Sequence, residues 1–260
     1  MMCRGLALLL LYVGLSAGGL LSPHAAWAES LVESSVETRT VLAFRVGETA
    51  LQRWVSEPLQ ITPIPSGPFR DANLFVIFMD KLVKLDAEGK PSEGGNDRAV
   101  VLAAVAKRPQ DEKPNVYVIR IFTANPKALP GAYKNSVLAS VRREQALKMV
   151  NLEAGTEEQQ WDVRDSAGGT IEFRLRCLRG LPTPGKVEQN VYSAVEPDFF
   201  RIYRVDQGMD VVKSLSAGID RVQSYEFRVS AAGLHELFDG SAQLVGIAIL
   251  PWYLRQIFLP

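Results

Sequence analysis

Apolar and polar residues alternate along most of this chain with a period of two, the signature of half-buried strands. VETRTVLAFRV (36–46) reads as a strand in this way. NLFVIFMDKLVKLD (73–86) opens on a solid apolar run, the mark of a strand covered on both faces or set in a barrel wall. AVVLAAVA (99–106) and VYVIRIFTA (116–124) follow, joined by the charged loop KRPQDEKPN. QQWDVRD and TIEFRLRCL flank SAGG and predict a hairpin; FFRIYRV and DVVKSL flank DQGM and predict a second. VQSYEFRV (222–229) alternates, and AQLVGIAIL (242–250) predicts a buried closing strand ahead of Pro251. Helical spacing occurs in two short stretches. GETALQRWV (47–55) puts Leu51, Trp54 and Val55 on one face and stops at Ser56-Glu57-Pro58, since proline disfavours helix in the residue before it. AAGLHELF (231–238) is the other. ESLVESS (29–35) reads as a polar lead-in and KPSEGGND (90–97) as a loop.

These elements predict a mainly β, or β-rich α+β, fold with two short helices. No long helical pattern alternates with the strands, which excludes a doubly wound α/β sheet. An antiparallel, closed or nearly closed barrel removes exposed edges and can enclose a ligand cavity.

The first 28 residues change the picture of where the chain works. Arg4 precedes an apolar run from Gly5 to Leu21, and Ala26-Trp27-Ala28 supplies a small-x-small cleavage box. Residues 1–28 are therefore expected to be a signal peptide, and residues 29–260 a single periplasmic or secreted domain that is off the membrane after cleavage. Cys3 would leave with the leader, so Cys177 stands alone and no intrachain disulfide is expected. Without Arg4 the charge is 28 basic against 29 acidic residues, which argues against nucleic acid as a partner. Homo-oligomerisation is left open.

Candidate chemistry is sparse. There is no Walker loop, no GxGxxG between strand and helix, no GxSxG and no HExxH. His235 would be the lone histidine after cleavage, and neither a metal site nor a cofactor is expected. The segment ALPGAYKNSVLASVRREQALK (128–148) is the exception. A Pro130-Gly131 corner delivers Tyr133 and Lys134 into an alternating strand where Lys134, Ser136, Leu138, Ser140, Arg142 and Glu144 share one face. Facing inward, Lys134 and Arg142 would line a cavity suited to a carboxylate; facing outward, they would be solvated. Arg120, inside the apolar strand VYVIRIFTA, needs a partner or a cavity, because an unpaired buried charge is costly.

Three stretches carry a family resemblance. LQRWVSEPLQITP (51–63), ELFDGSAQLVGIAILPWYLRQIF (236–258) and LPGAYKNSVLASVRR (129–143) resemble, in that order, stretches of the acetoacetate decarboxylase family. They match its post-strand helix ending in Pro-Glu-Pro-Leu, its closing strand, and the segment bearing its Schiff-base lysine. The resemblance implies a barrel of that type and a lysine amine that condenses with a small keto acid. It places the catalytic pair at Lys134 and Glu88; the reading of the residues themselves adds Arg142 and Arg120 as the cations to hold the acid's carboxylate, with Tyr133 beside the lysine as a further binding residue. Two departures accompany it. The family's aromatic-Pro-Lys is here Tyr133-Lys134-Asn135, and Glu88 falls in the turn LDAEGKP. The alternative is a non-catalytic barrel of the same fold that binds a small organic acid or an apolar ligand.

Overall fold

Hydrogen bonding runs unbroken through thirteen strands in a computed structural model of the protein. It describes residues 29–260 apart from 93–96, 127–128, 130–132 and 152–153, so the expected leader and the Pro130-Gly131 corner lie outside the described residues. In chain order the elements are β1 (Ser30–Arg45), α1 (Glu48–Gln52), β2 (Gln60–Ile61), β3 (Leu74–Leu85), β4 (Arg98–Lys107), β5 (Asn115–Thr123), β6 (Ser136–Met149), β7 (Gly155–Asp165), β8 (Thr170–Arg179), β9 (Thr183–Ser193), β10 (Phe200–Ser214), β11 (Ile219–Asp220), β12 (Val222–Val229) and β13 (Gln243–Leu259). Seven strands form a ring in the order β5-β9-β10-β13-β1-β3-β4, closed where β4 pairs with β5. From β5 the sheet continues through β6, β7, β8 and β12 as a second layer, packed on the outer face of β1, β3 and β4.

Strand alternation then sorts side chains into two interiors. On β1, Leu42 and Phe44 face the second layer, while Glu37 and Arg39 face into the ring. On β3, Phe78 stacks on Phe173 with ring centroids 4.7 Å apart and tilts against Trp161 at 5.4 Å, whereas Ile77, Met79 and Lys81 point inward. Full burial of a side chain like Phe78 is worth about 1.5–3 kcal/mol. Leu82 is an extra residue, a bulge between the pairs Val36–Val83 and Glu37–Lys81. It allows Lys81 and Lys84 both to point toward the ring's charged side chains, Lys84 reaching Glu33 at 3.0 Å.

Several expectations are corrected. The ring is mixed rather than wholly antiparallel, because β5 pairs in parallel with β9, and it joins the second layer through another parallel pairing, with β6. The polar lead-in 29–35 is largely strand, since Glu33 and Ser35 find buried partners inside the ring. DQGM (206–209) is no turn but the middle of β10, paired on both sides. Gly208 is small there because a Cβ would lie 2.5 Å from the Trp252 indole nitrogen. β9 (183–193), unmarked by its Pro-, Gly- and charge-rich sequence, is a strand by virtue of that pairing. The second expected helix, 231–238, is a run of turns with three-residue spacing, Leu234 N–H to Ala231 O and Leu237 N–H to Leu234 O. Gly233, at φ +79, turns the chain out of the helical region. The last strand does not stop at Pro251; a register shift there absorbs the missing N–H, and β13 continues to Leu259.

Candidate functional site

The ring encloses a chamber of about 80 Å3 whose walls combine apolar side chains with buried charge. Ile77, Met79, Val118 and Val191 line it together with Tyr133 and Tyr203, whose hydroxyls are 3.0 Å apart. Lys81, Arg39 and Arg255 line it as well. Behind them, Glu37 is fully buried and binds both guanidiniums. Arg39 Nε donates to its Oε2 at 2.8 Å, and Arg255 Nη2 lies 2.7 Å from its Oε1. Arg255 also donates to Glu33 at 3.1 Å and to the Ser35 hydroxyl at 3.2 Å, while Ser35 donates to Glu37 at 2.7 Å. The Arg39 guanidinium sits 3.6 Å over the Tyr253 ring.

Lys81 is the odd member of this cluster. It is 1 % exposed, its amine makes no hydrogen bond, and the nearest carboxylate oxygen, Asp97 Oδ2, is 4.0 Å away. Burial, with Arg255 adding to it, holds the amine below the usual lysine range against the pull of Glu37, Asp97 and Glu33. Arg39, Lys84 and Arg255 already balance the carboxylates of Glu33, Glu37 and Asp97, so a proton on Lys81 would leave the cluster with one surplus positive charge. Burial pushes the Glu37 carboxyl up, but Arg255, Arg39 and the Ser35 hydroxyl outweigh it and hold it at about 2. Burial raises the Tyr133 phenol well above its usual value, with Tyr203 acting in the same direction. A primary amine held below the usual lysine range loses its proton more readily and can then attack a carbonyl, and the two guanidiniums that line the same pocket can hold a carboxylate nearby.

The residues singled out in the sequence fall elsewhere, with one exception. Tyr133 is buried and lines the chamber. Lys134, next to it, has φ +56; its side chain is 57 % exposed and paired with Glu196, and it is not among the lining residues. Arg142 lies on the outward face of β6, exposed and paired with Glu144. Glu88 is exposed in the turn after β3, where its N–H donates to Asp86 Oδ1 at 3.1 Å. Arg120 is half-buried with its guanidinium 4.9 Å over the Trp54 ring, and the chamber takes Val118 and Ile121 from that strand instead. Glu37, Arg39, Lys81 and Arg255 were not singled out. The signal that finds Lys81 and Arg255 is the one that flagged Arg120, a charge beside an otherwise apolar run, whereas Glu37 and Arg39 in VETRT carry no such mark.

Other features are quieter. Cys177 is buried, and burial pushes its thiol up to about 12, so it is no nucleophile. The larger depression, about 720 Å3, lies on the outer face of the ring and is open to solvent over Val36, Val83 and Leu254. Apart from Arg255, which lines both, its charged residues are surface groups such as Lys186, Glu188, Arg204 and Asp206, and we place the site in the chamber. Among the described residues no cluster of His, Cys, Asp and Glu could hold a metal ion, and no helix is long and apolar enough to cross a membrane.

No family model matches the sequence, and no curated protein matches it. Solved structures do match by shape. An acetoacetate decarboxylase-like enzyme from Sphingomonas wittichii RW1 superposes with a TM-score of 0.55 at 9% identity, over 92% of this chain and 94% of that one. The enduracididine biosynthesis enzyme MppR with bound HEPES gives 0.54 at 10% identity, over 96% of each chain, and MppR complexed with pyruvate gives 0.51 at 10% identity, over 95% of each. The likeness is one of fold: this chain has the fold of acetoacetate decarboxylase-like structures at low sequence identity.

Proposed function

We propose that the chamber binds a small oxo acid and that Lys81 is the amine that condenses with its carbonyl. The observation that carries this reading is a fully buried lysine whose amine has no hydrogen-bond partner and which lines the chamber together with two guanidiniums. The Lys81 nitrogen pair would form the C–N bond, and the carbonyl oxygen would leave as water after taking up one proton from the amine and one from solvent, giving an iminium that keeps the other amine proton. Its positive charge and the acid's carboxylate cancel, so the balanced cluster stays balanced. Where the carboxylate is β to the iminium carbon, the electrons of the breaking C–C bond flow into C=N, releasing carbon dioxide and leaving a neutral enamine. The space of about 80 Å3 is roughly that of three waters at about 30 Å3 each, which suits acids of pyruvate size. The pyruvate complex of a protein with this fold supports the same ligand class. The leader pattern in residues 1–28 supports placing this activity outside the cytoplasm.

Borohydride reduction in the presence of pyruvate tests the reading. A stable adduct is expected on the peptide carrying Lys81, and Lys81→Met should abolish it. An adduct mapping to Lys134 would transfer the role to that exposed amine, as the family resemblance implies. Binding of pyruvate or a small apolar molecule without any adduct would favour a non-catalytic binding protein, a reading that the mainly aliphatic lining supports.

A further inference from the structure

Lys81 and Asp97 are tied together at the backbone, where the Lys81 N–H donates to the Asp97 carbonyl at 3.0 Å. A carboxylate beside an ammonium normally closes to a direct hydrogen bond of about 2.7–2.9 Å. Here the gap is 4.0 Å, and the oxygen nearest the amine, Oδ2, is engaged by another donor, the Thr123 hydroxyl at 2.6 Å. Thr123 is fully buried at the end of β5, and its oxygen accepts the Asn125 N–H at 3.2 Å, which leaves the hydroxyl proton directed at Asp97. The other charges around the amine are fixed. Glu37 is held by Ser35, Arg39 and Arg255, and Glu33 by Lys84 and Arg255. Tyr133 and Tyr203 complete the surroundings, their hydroxyls bonded to each other. Asp97 is thus the carboxylate that one side-chain rotation could bring onto the amine.

We infer that Thr123 is a positioning residue that holds the Asp97 carboxylate off the Lys81 amine and so keeps that amine free to react. This rests on Lys81 being the reactive amine. Removing the hydroxyl would leave Asp97 without its donor and free to pair with Lys81, which would stabilise the ammonium form. The test titrates Lys81 directly in protein with labelled lysine side chains, followed by NMR and assigned with Lys81→Met. Thr123→Val should raise the Lys81 midpoint by about one pH unit or more, and Thr123→Ser should return it. Asp97→Asn in the Thr123→Val background should abolish the rise. The pH profile of pyruvate trapping should shift to the alkaline side by the same amount, about tenfold less adduct per unit at a pH below the midpoint. An unmoved midpoint in Thr123→Val, or a rise that survives Asp97→Asn, overturns the inference whether or not pyruvate is trapped. Absence of trapping in the unaltered protein overturns the proposed function instead and leaves the titration result to stand on its own.

Discussion

Two interiors share the same strands and are filled with opposite chemistry. Between the ring and the second layer, Leu42, Phe44, Phe78, Trp161 and Phe173 make a continuous apolar core. Inside the ring, alternate residues of those strands and of β13 place Glu37, Arg39, Lys81 and Arg255 around a cavity. Apolar burial stabilises without a desolvation cost, whereas buried ion pairs roughly break even and a buried unpaired amine is unfavourable. The first interior can therefore hold the fold together while the second keeps an arrangement that stability alone would not select.

That separation can be broken or sharpened by substitution. Lys81→Met should have the largest effect, complete loss of the pyruvate adduct, with an unfolding midpoint unchanged or higher. Because the folded state holds Lys81 less protonated than the unfolded chain does, stability should rise with pH toward about 10.5, and Lys81→Met should lose that rise. Phe78→Ala, on the other side of the same strand, should cost about 3–5 kcal/mol in urea unfolding by opening a cavity against Phe173 and Trp161. A comparable loss in Lys81→Met would erase the distinction between the two interiors. Next comes acid. Glu37 is held at about 2 against a usual 4.5, so it contributes stability above pH 4.5 that is lost as pH falls from there toward 2, on the order of 3 kcal/mol. Glu37→Gln should flatten that limb of the stability profile. Lys134→Ala should be the mildest change, below about 1 kcal/mol because its pair with Glu196 is solvent-exposed, and it should leave pyruvate trapping intact.

The strands of the apolar interior were legible because β3, β4 and β5 each contain a run that is apolar at nearly every position, LFVIFM, AVVLAAVA and VYVIRIF. The charged interior was hidden by the same rule that revealed the rest. A period of two tells which residues share a face but not which face is inside, and in VETRT the residues Glu37 and Arg39 look like an ordinary solvated edge. Lys81 in MDKLVK is disguised further by the bulge at Leu82, which breaks the alternation just beyond it. Tyr133, singled out beside Lys134 in the sequence, does line the chamber, but Lys134 takes a left-handed backbone turn and projects to Glu196 instead. Gly208 and Gly233 were misread in opposite directions. Gly208 suggested a turn and serves close packing under Trp252, while Gly233 was passed over inside a helical pattern that it interrupts.

The pairing of β1 with β13, from Ser30–Leu259 to Arg45–Gln243, sets a condition on how the molecule can be made. The earliest strand of the ring needs the latest one beside it, the longest loop closure the described chain offers. While a ribosome is still adding residues, β1 has β3 on one edge and nothing on the other. The charged chamber cannot exist at that stage, because Arg255, the partner of Glu33 and Glu37, has not yet been synthesised. A nascent chain of this protein would carry those acids exposed and solvated, and would bury them only in its final closure, a non-local step of the kind that makes folding slow.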